Sequence, residues 1–142
     1  MMIDTIESQI EDVITCSLAR YLNSNTLYLK SRTIRYNGGR QSGHTTTMIE
    51  LLKRYPNSLG LVNTHSIAMR IGKTYPDINN RIFSWVSFPC AFLFLGSRSR
   101  FNMVIIDDMH RMSKDDEKLL DIEILISPVM THDEPFVLIK LQ

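Results

Sequence analysis

Gly38-Gly39-Arg40-Gln41-Ser42-Gly43-His44-Thr45 stands between two segments of opposite character. Before it, residues 27–37 alternate around Leu27, Leu29, Ile34 and Tyr36, the period-two pattern of extended chain, with a break near Ser31. After it, Met48, Leu51 and Leu52 fall at helical spacing, which predicts a helix over 43–55 stopped by Pro56-Asn57. A glycine-rich turn joining a strand to a helix is the start of an α/β unit, and the alternation continues downstream. Residues 59–62 read as a short strand, 66–74 as a helix, and Met103-Val104-Ile105-Ile106 as a buried strand. Ser113 with Asp116 three positions on resembles a capping box and predicts a helix to about residue 125. Residues 128–135 read as a loop and 136–141 as a closing strand, while 82–88 and 91–95 look strand-like with little alternation. At the other end, Ile3, Ile6, Ile10, Val13, Ile14, Leu18 and Leu22 predict an amphipathic helix at about 3–22. Strands alternating with helices favour an α/β fold, a mostly parallel sheet with helices on both faces, built as one domain over 1–142.

Composition bounds the function classes. A chain of 142 residues with 44% hydrophobic and 22% charged residues can bury a core without disulfide or metal staples, and its ordinary apolar content excludes a disordered chain. The longest apolar run, 86–95, is interrupted by Ser87 and Pro89, so no membrane partner is expected. The start Met-Met-Ile-Asp lacks the basic beginning of a signal peptide, and Cys16 and Cys90 show no metal-ligand spacing. A cytoplasmic location follows as the expectation. The net charge of +1 is an average over three zones: −3 over 1–26, +9 over 27–103 and −5 over 104–142. The basic middle is either a face for an anionic ligand or a surface paired with the acidic ends.

The octapeptide matches the phosphate-binding pattern G-x-x-x-x-G-K-[ST] at every fixed position except the lysine, which is His44. Glycines let the backbone curl with its N–H groups inward, an anion nest at a helix N-terminus. Thr45 supplies a hydroxyl suited to Mg²⁺, and lysine normally reaches the terminal phosphates. His44 is shorter and lacks lysine's permanent charge, though it can donate one hydrogen bond. Further on, four apolar residues deliver Asp107 and Asp108 to the carboxyl edge of the sheet, where ligands of parallel sheets bind. Asp107 is placed to hold Mg²⁺ through water, and Asp108 to orient or deprotonate an attacking water.

Gly39-Arg40-Gln41-Ser42-Gly43-His44-Thr45-Thr46 is similar to Walker A of the P-loop NTPases, in the form found in phage terminase large subunits. Asp107-Asp108-Met109-His110 is similar to the D-E-x-H box of helicases, and Leu61-Val62-Asn63-Thr64-His65-Ser66-Ile67-Ala68 stands where helicase motif Ia stands. The resemblance covers about residues 28–142 and implies a single RecA-like lobe in which 136–141 lies between the P-loop strand and the 103–107 strand. It implies ATP and Mg²⁺ as ligands, with Gly38, Gly39, Arg40, Gln41, Ser42, Gly43, His44, Thr45 and Thr46 around the phosphates. Thr45 and Asp107 would hold the metal, with Asp108 as the catalytic carboxylate that orients or deprotonates water. It also implies viral or phage DNA transactions, in the host cytoplasm if viral, with Thr64 and His65 near nucleic-acid phosphates. The sequence departs from the family at His44 and at Asp108, one methylene shorter than glutamate, and it ends where a second lobe would follow. A motor would need that lobe in trans or a homo-oligomeric neighbour.

Other residues carry weaker signals. Arg98 and Arg100, in the basic turn before the 103–106 strand, are candidates for nucleic-acid phosphate. His65 and His110 match no zinc spacing, and Trp85 with Phe83 and Phe88 reads either as core or as a base-stacking cluster. Two functions from different classes remain. One is a small NTP-binding protein with weak or slow hydrolysis, and the other a catalytically degenerate module that binds nucleic acid or protein.

Overall fold

The computed structural model describes residues 2–19, 33–36, 44–85, 101–107, 109–126 and 137–141. Five strands form one sheet: β1 (Thr33–Tyr36), β2 (Ser58–Val62), β3 (Ile82–Ser84), β4 (Met103–Ile106) and β5 (Val137–Leu141). Four α-helices accompany them: α1 (Met2–Ala19), α2 (His44–Arg54), α3 (His65–Thr74) and α4 (Lys114–Ile126). Short 3₁₀ turns at Pro76–Arg81 and Met109–Arg111 complete the described elements. The strand order is β1-β5-β4-β2-β3, and every pairing is parallel.

The alternation of strands and helices is therefore borne out as an α/β fold with an all-parallel sheet. Strand β5 pairs with β1 on one side and β4 on the other, as expected for residues 136–141. Every residue of β2, β4 and β5 is buried, which explains why Met103–Ile106 reads as a continuous apolar run.

Alternate side chains feed two cores. Ile34, Val62, Met103, Ile105, Val137, Ile139 and Leu141 pack with α1, α2 and α3 residues, among them Ile6, Ile10, Met48, Leu51, Leu52 and Ile71. Leu59, Leu61, Val104, Ile106 and Leu138 pack on the other face with Phe101, Met109, Leu120 and Ile124. Each fully buried aliphatic side chain contributes about 1.5–3 kcal/mol, so these layers dominate stability. Phe83 and Trp85 lie partly buried against this second core, the core half of their two readings; Phe88 is outside the described residues.

Handedness assigns the layers. The crossovers β1-α2-β2 and β2-α3-β3 run one way across the sheet and share a face, whereas β4-α4-β5 runs back and puts α4 on the opposite face. Gly60 allows α2 to approach β2 closely: a Cβ there would lie 3.0 Å from Leu52 Cδ1.

Local signals explain the helix ends. Thr64 caps α3 by accepting from the Ile67 N–H at 3.2 Å, and Ser113 caps α4 by accepting from the Asp116 N–H at 3.1 Å. Asp115, Asp116 and Glu117 favour the α4 N-terminus, and Lys53 and Arg54 the α2 C-terminus. The α2 end has a second device that local sequence did not announce. Arg81 donates to the carbonyls of Leu52 at 2.8 Å, Tyr55 at 3.2 Å and Ser58 at 3.2 Å, so a residue 27 positions beyond Arg54 closes the helix. Burial lowers the Arg81 pKa, with Asp77 opposing. Arg81→Met is expected to destabilise the protein by about 1.5–3 kcal/mol, the worth of charged hydrogen bonds to otherwise orphaned carbonyls, read as a lower urea midpoint.

The charge zones meet in space. Arg54 of α2 pairs with Glu7 of α1, and Arg35 of β1 pairs with Glu117 of α4, so two bases of the middle zone are matched by the acidic ends. Among the described residues no helix is long and apolar enough to cross a membrane.

Candidate functional site

The carboxyl edge of the sheet brings one residue of each motif together, Thr45 and Asp107. Strand β1 leads to the glycine-rich segment and α2, whose first residues are His44, Thr45 and Thr46. Two strands away β4 ends at Asp107, whose backbone N–H donates to the Leu61 carbonyl at 2.9 Å and ties it to β2. Parity then decides direction. Met103 and Ile105 face the core beneath α2, and Asp107 continues their side of the strand toward the α2 N-terminus. There the Thr45 hydroxyl donates to Asp107 Oδ2 at 2.7 Å. The residues are 62 positions apart, yet the parallel sheet with β5 between them brings them within hydrogen-bond distance.

The environment of this pair is asymmetric. Asp107 is only 3% exposed, whereas Thr45 is exposed at the start of the helix. A buried carboxylate is retained where it is hydrogen-bonded or meets a cation, and a helix N-terminus favours anions beside it. A hydroxyl and a carboxylate are hard oxygen donors suited to Mg²⁺. Among the described residues no group of three His, Cys, Asp or Glu could hold a metal by itself, so a cation here would need further oxygens from water or a ligand.

His44 occupies the lysine position of the pattern. Its ring meets Tyr36, the last residue of β1, edge-on at 6.3 Å between centroids with an interplanar angle of 88°. Its Nε2 atom is buried and has no hydrogen-bond partner among the described residues. Buried polar nitrogens are normally satisfied, so this atom stands out beside a candidate anion site. Tyr36 was not among the residues singled out from sequence, where it read as one apolar position of an extended segment.

The remaining site residues divide. Thr64 and His65 lie at the carboxyl edge beyond β2, both exposed, with Thr64 engaged as the α3 cap. Thr46 is exposed on the first turn of α2. Gly38, Gly39, Arg40, Gln41, Ser42, Gly43, Asp108, Arg98 and Arg100 lie outside the described residues, as do the strand-like segment 91–95 and the loop 128–135.

A second polar cluster lies on the opposite face. Lys140 of β5 is 1% exposed and donates to Glu117 at 2.8 Å and Asp121 at 3.0 Å, both on α4; Arg35 also binds Glu117. Burial raises the Glu117 pKa, but the Lys140 and Arg35 hydrogen bonds outweigh it and leave the carboxyl below its ordinary value. For Asp121 burial wins over Lys140, and the pKa is raised.

No protein-family model, no curated protein and no solved structure matches the chain, so its reading rests on its own residues and geometry.

Proposed function

We propose that this chain is a small P-loop NTPase-like protein, a single RecA-like lobe that binds a nucleoside triphosphate, ATP foremost, together with Mg²⁺. The observation that carries the reading is the Thr45–Asp107 hydrogen bond of 2.7 Å at the carboxyl edge of a parallel sheet, at the end of a phosphate-loop sequence. The strand order supports it, because β5 separates β1 from β4 as the resemblance requires. In this reading the 38–46 backbone cradles phosphates, Thr45 binds the metal directly and Asp107 through water. Asp108 orients water. Bound Mg²⁺ would supply charge neutralisation at the phosphates.

His44 sets the expected strength. Lysine at this position makes a charge-assisted contact to phosphate oxygens, and imidazole offers a shorter and weaker one. Binding by the native protein is expected to be weak and hydrolysis slow. His44→Lys is expected to tighten ATP binding at least tenfold, measured by calorimetry with Mg²⁺. No heat at millimolar ATP from either form overturns the reading.

The second reading is a degenerate module that uses the fold to bind nucleic acid or protein. His44 favours it, and so do the exposed bases Lys53, Arg70 and Lys73 on α2 and α3. It predicts salt-sensitive binding to DNA without turnover. Robust ATP hydrolysis that Asp108→Asn abolishes would exclude it.

A further inference from the structure

We propose that Tyr36 is a positioning residue that holds the His44 imidazole ready for a phosphate oxygen, so that the two rings act as one binding unit. This rests on the nucleotide-binding reading above. Three observations point to it. Tyr36 ends β1 and His44 begins α2, so the two rings flank the glycine-rich stretch in the chain and meet in space. The rings meet at 6.3 Å and 88°, within the range of favourable edge-to-face pairs. The His44 Nε2 is shielded from solvent with no hydrogen-bond partner among the described residues, an arrangement that costs free energy until something polar meets it.

The chemistry explains why a histidine needs such a neighbour. A lysine has a long flexible stem and three donors, so it finds a phosphate from many rotamers. Imidazole is shorter, and each nitrogen offers one directional contact, so a misaligned ring makes none. Ordering a free side chain on binding weakens affinity, and a ring already held in place avoids that loss. Tyr36 is itself partly buried against the α1–α2 core, which gives the imidazole a fixed surface to rest on. The ligand class is a phosphoryl oxygen approaching the α2 N-terminus beside Thr45, where the helix dipole already favours negative charge.

The experiment is a double-mutant cycle on ATP·Mg²⁺ affinity by calorimetry, with native protein, Tyr36→Leu, His44→Lys and the combined variant. Tyr36→Leu is expected to weaken binding about three- to tenfold in the native background and less than twofold in the His44→Lys background. Tyr36→Phe, which keeps the ring, is expected to bind within about twofold of native. Equal losses from Tyr36→Leu in both backgrounds would assign Tyr36 to general packing and overturn the inference. Binding by none of the four folded forms would overturn the nucleotide reading and this inference with it. An NMR titration of the native protein needs no variant to fold. Contacts between the Tyr36 ring and His44 protons are expected to persist as ATP displaces the His44 Nε2 resonance, and their loss on binding contradicts the proposal.

Discussion

Asp107→Asn is expected to remove the Mg²⁺-dependent part of ATP affinity, a loss of at least about tenfold, while the protein stays folded. The amide keeps the shape of the carboxylate and can still accept from the Thr45 hydroxyl, so the 2.7 Å contact has a neutral substitute. The backbone tie from Asp107 to Leu61 is untouched. What disappears is the negative charge that a divalent cation requires. Thr45→Val should show the same loss because it removes a hydroxyl ligand at nearly constant volume, and Thr45→Ser should restore it. Calorimetry with and without Mg²⁺, beside a thermal midpoint for each form, separates loss of metal from loss of fold.

Glu117→Gln is expected to destabilise the protein by about 2–3 kcal/mol at neutral pH, the largest effect on folding foreseen for a residue distant from the candidate site. Lys140 lies 1% exposed within β5, and its ammonium would keep Asp121 alone as a charged acceptor. Removing one partner of a buried pair costs about 3–5 kcal/mol, and the partial exposure of Glu117 reduces the figure. The loss is pH-dependent with a definite sign. The folded-state pKa of Glu117 is lowered, so its contribution is fully present above the unfolded carboxylate range and is lost as pH falls through the lowered pKa. The difference between native protein and Glu117→Gln should therefore shrink below about pH 4. Asp121 has the opposite sign: its raised pKa gives a contribution present in acid and lost as pH rises through that value. Asp121→Asn should accordingly cost less than Glu117→Gln at neutral pH. Urea unfolding at several pH values measures both.

These two clusters differ in how far the sequence announces them. The Thr45–Asp107 pair is legible because each residue ends or begins an element whose period is plain, and parallel topology converts those ends into neighbours. The helices are legible for the same reason: α2, α3 and α4 begin within one residue of where apolar spacing and capping signals put them. Lys140 is different. Inside the run Val137–Leu141 it reads as an exposed interruption of an apolar strand, and only α4 docking with Glu117 and Asp121 makes burial tolerable. Arg81 likewise has no local reason to cap α2, since its acceptors arrive through the β2 turn and the 3₁₀ segment. Tyr36 reads in the sequence only as an apolar position, because its contact to His44 joins the end of β1 to the start of α2 and leaves no mark on the period of either. Periodicity reports what a residue does to its own element, and these three act on another.

A crystal structure grown with a non-hydrolysable ATP analogue and Mg²⁺ decides whether the α2 N-terminus receives a nucleotide. A triphosphate is expected at the N-terminus of α2, with the metal beside Thr45 and Asp107 in place of their direct hydrogen bond and the His44 Nε2 against a phosphate oxygen. Crystals saturated with millimolar analogue that show the Thr45–Asp107 hydrogen bond intact and no phosphate at α2 would contradict it.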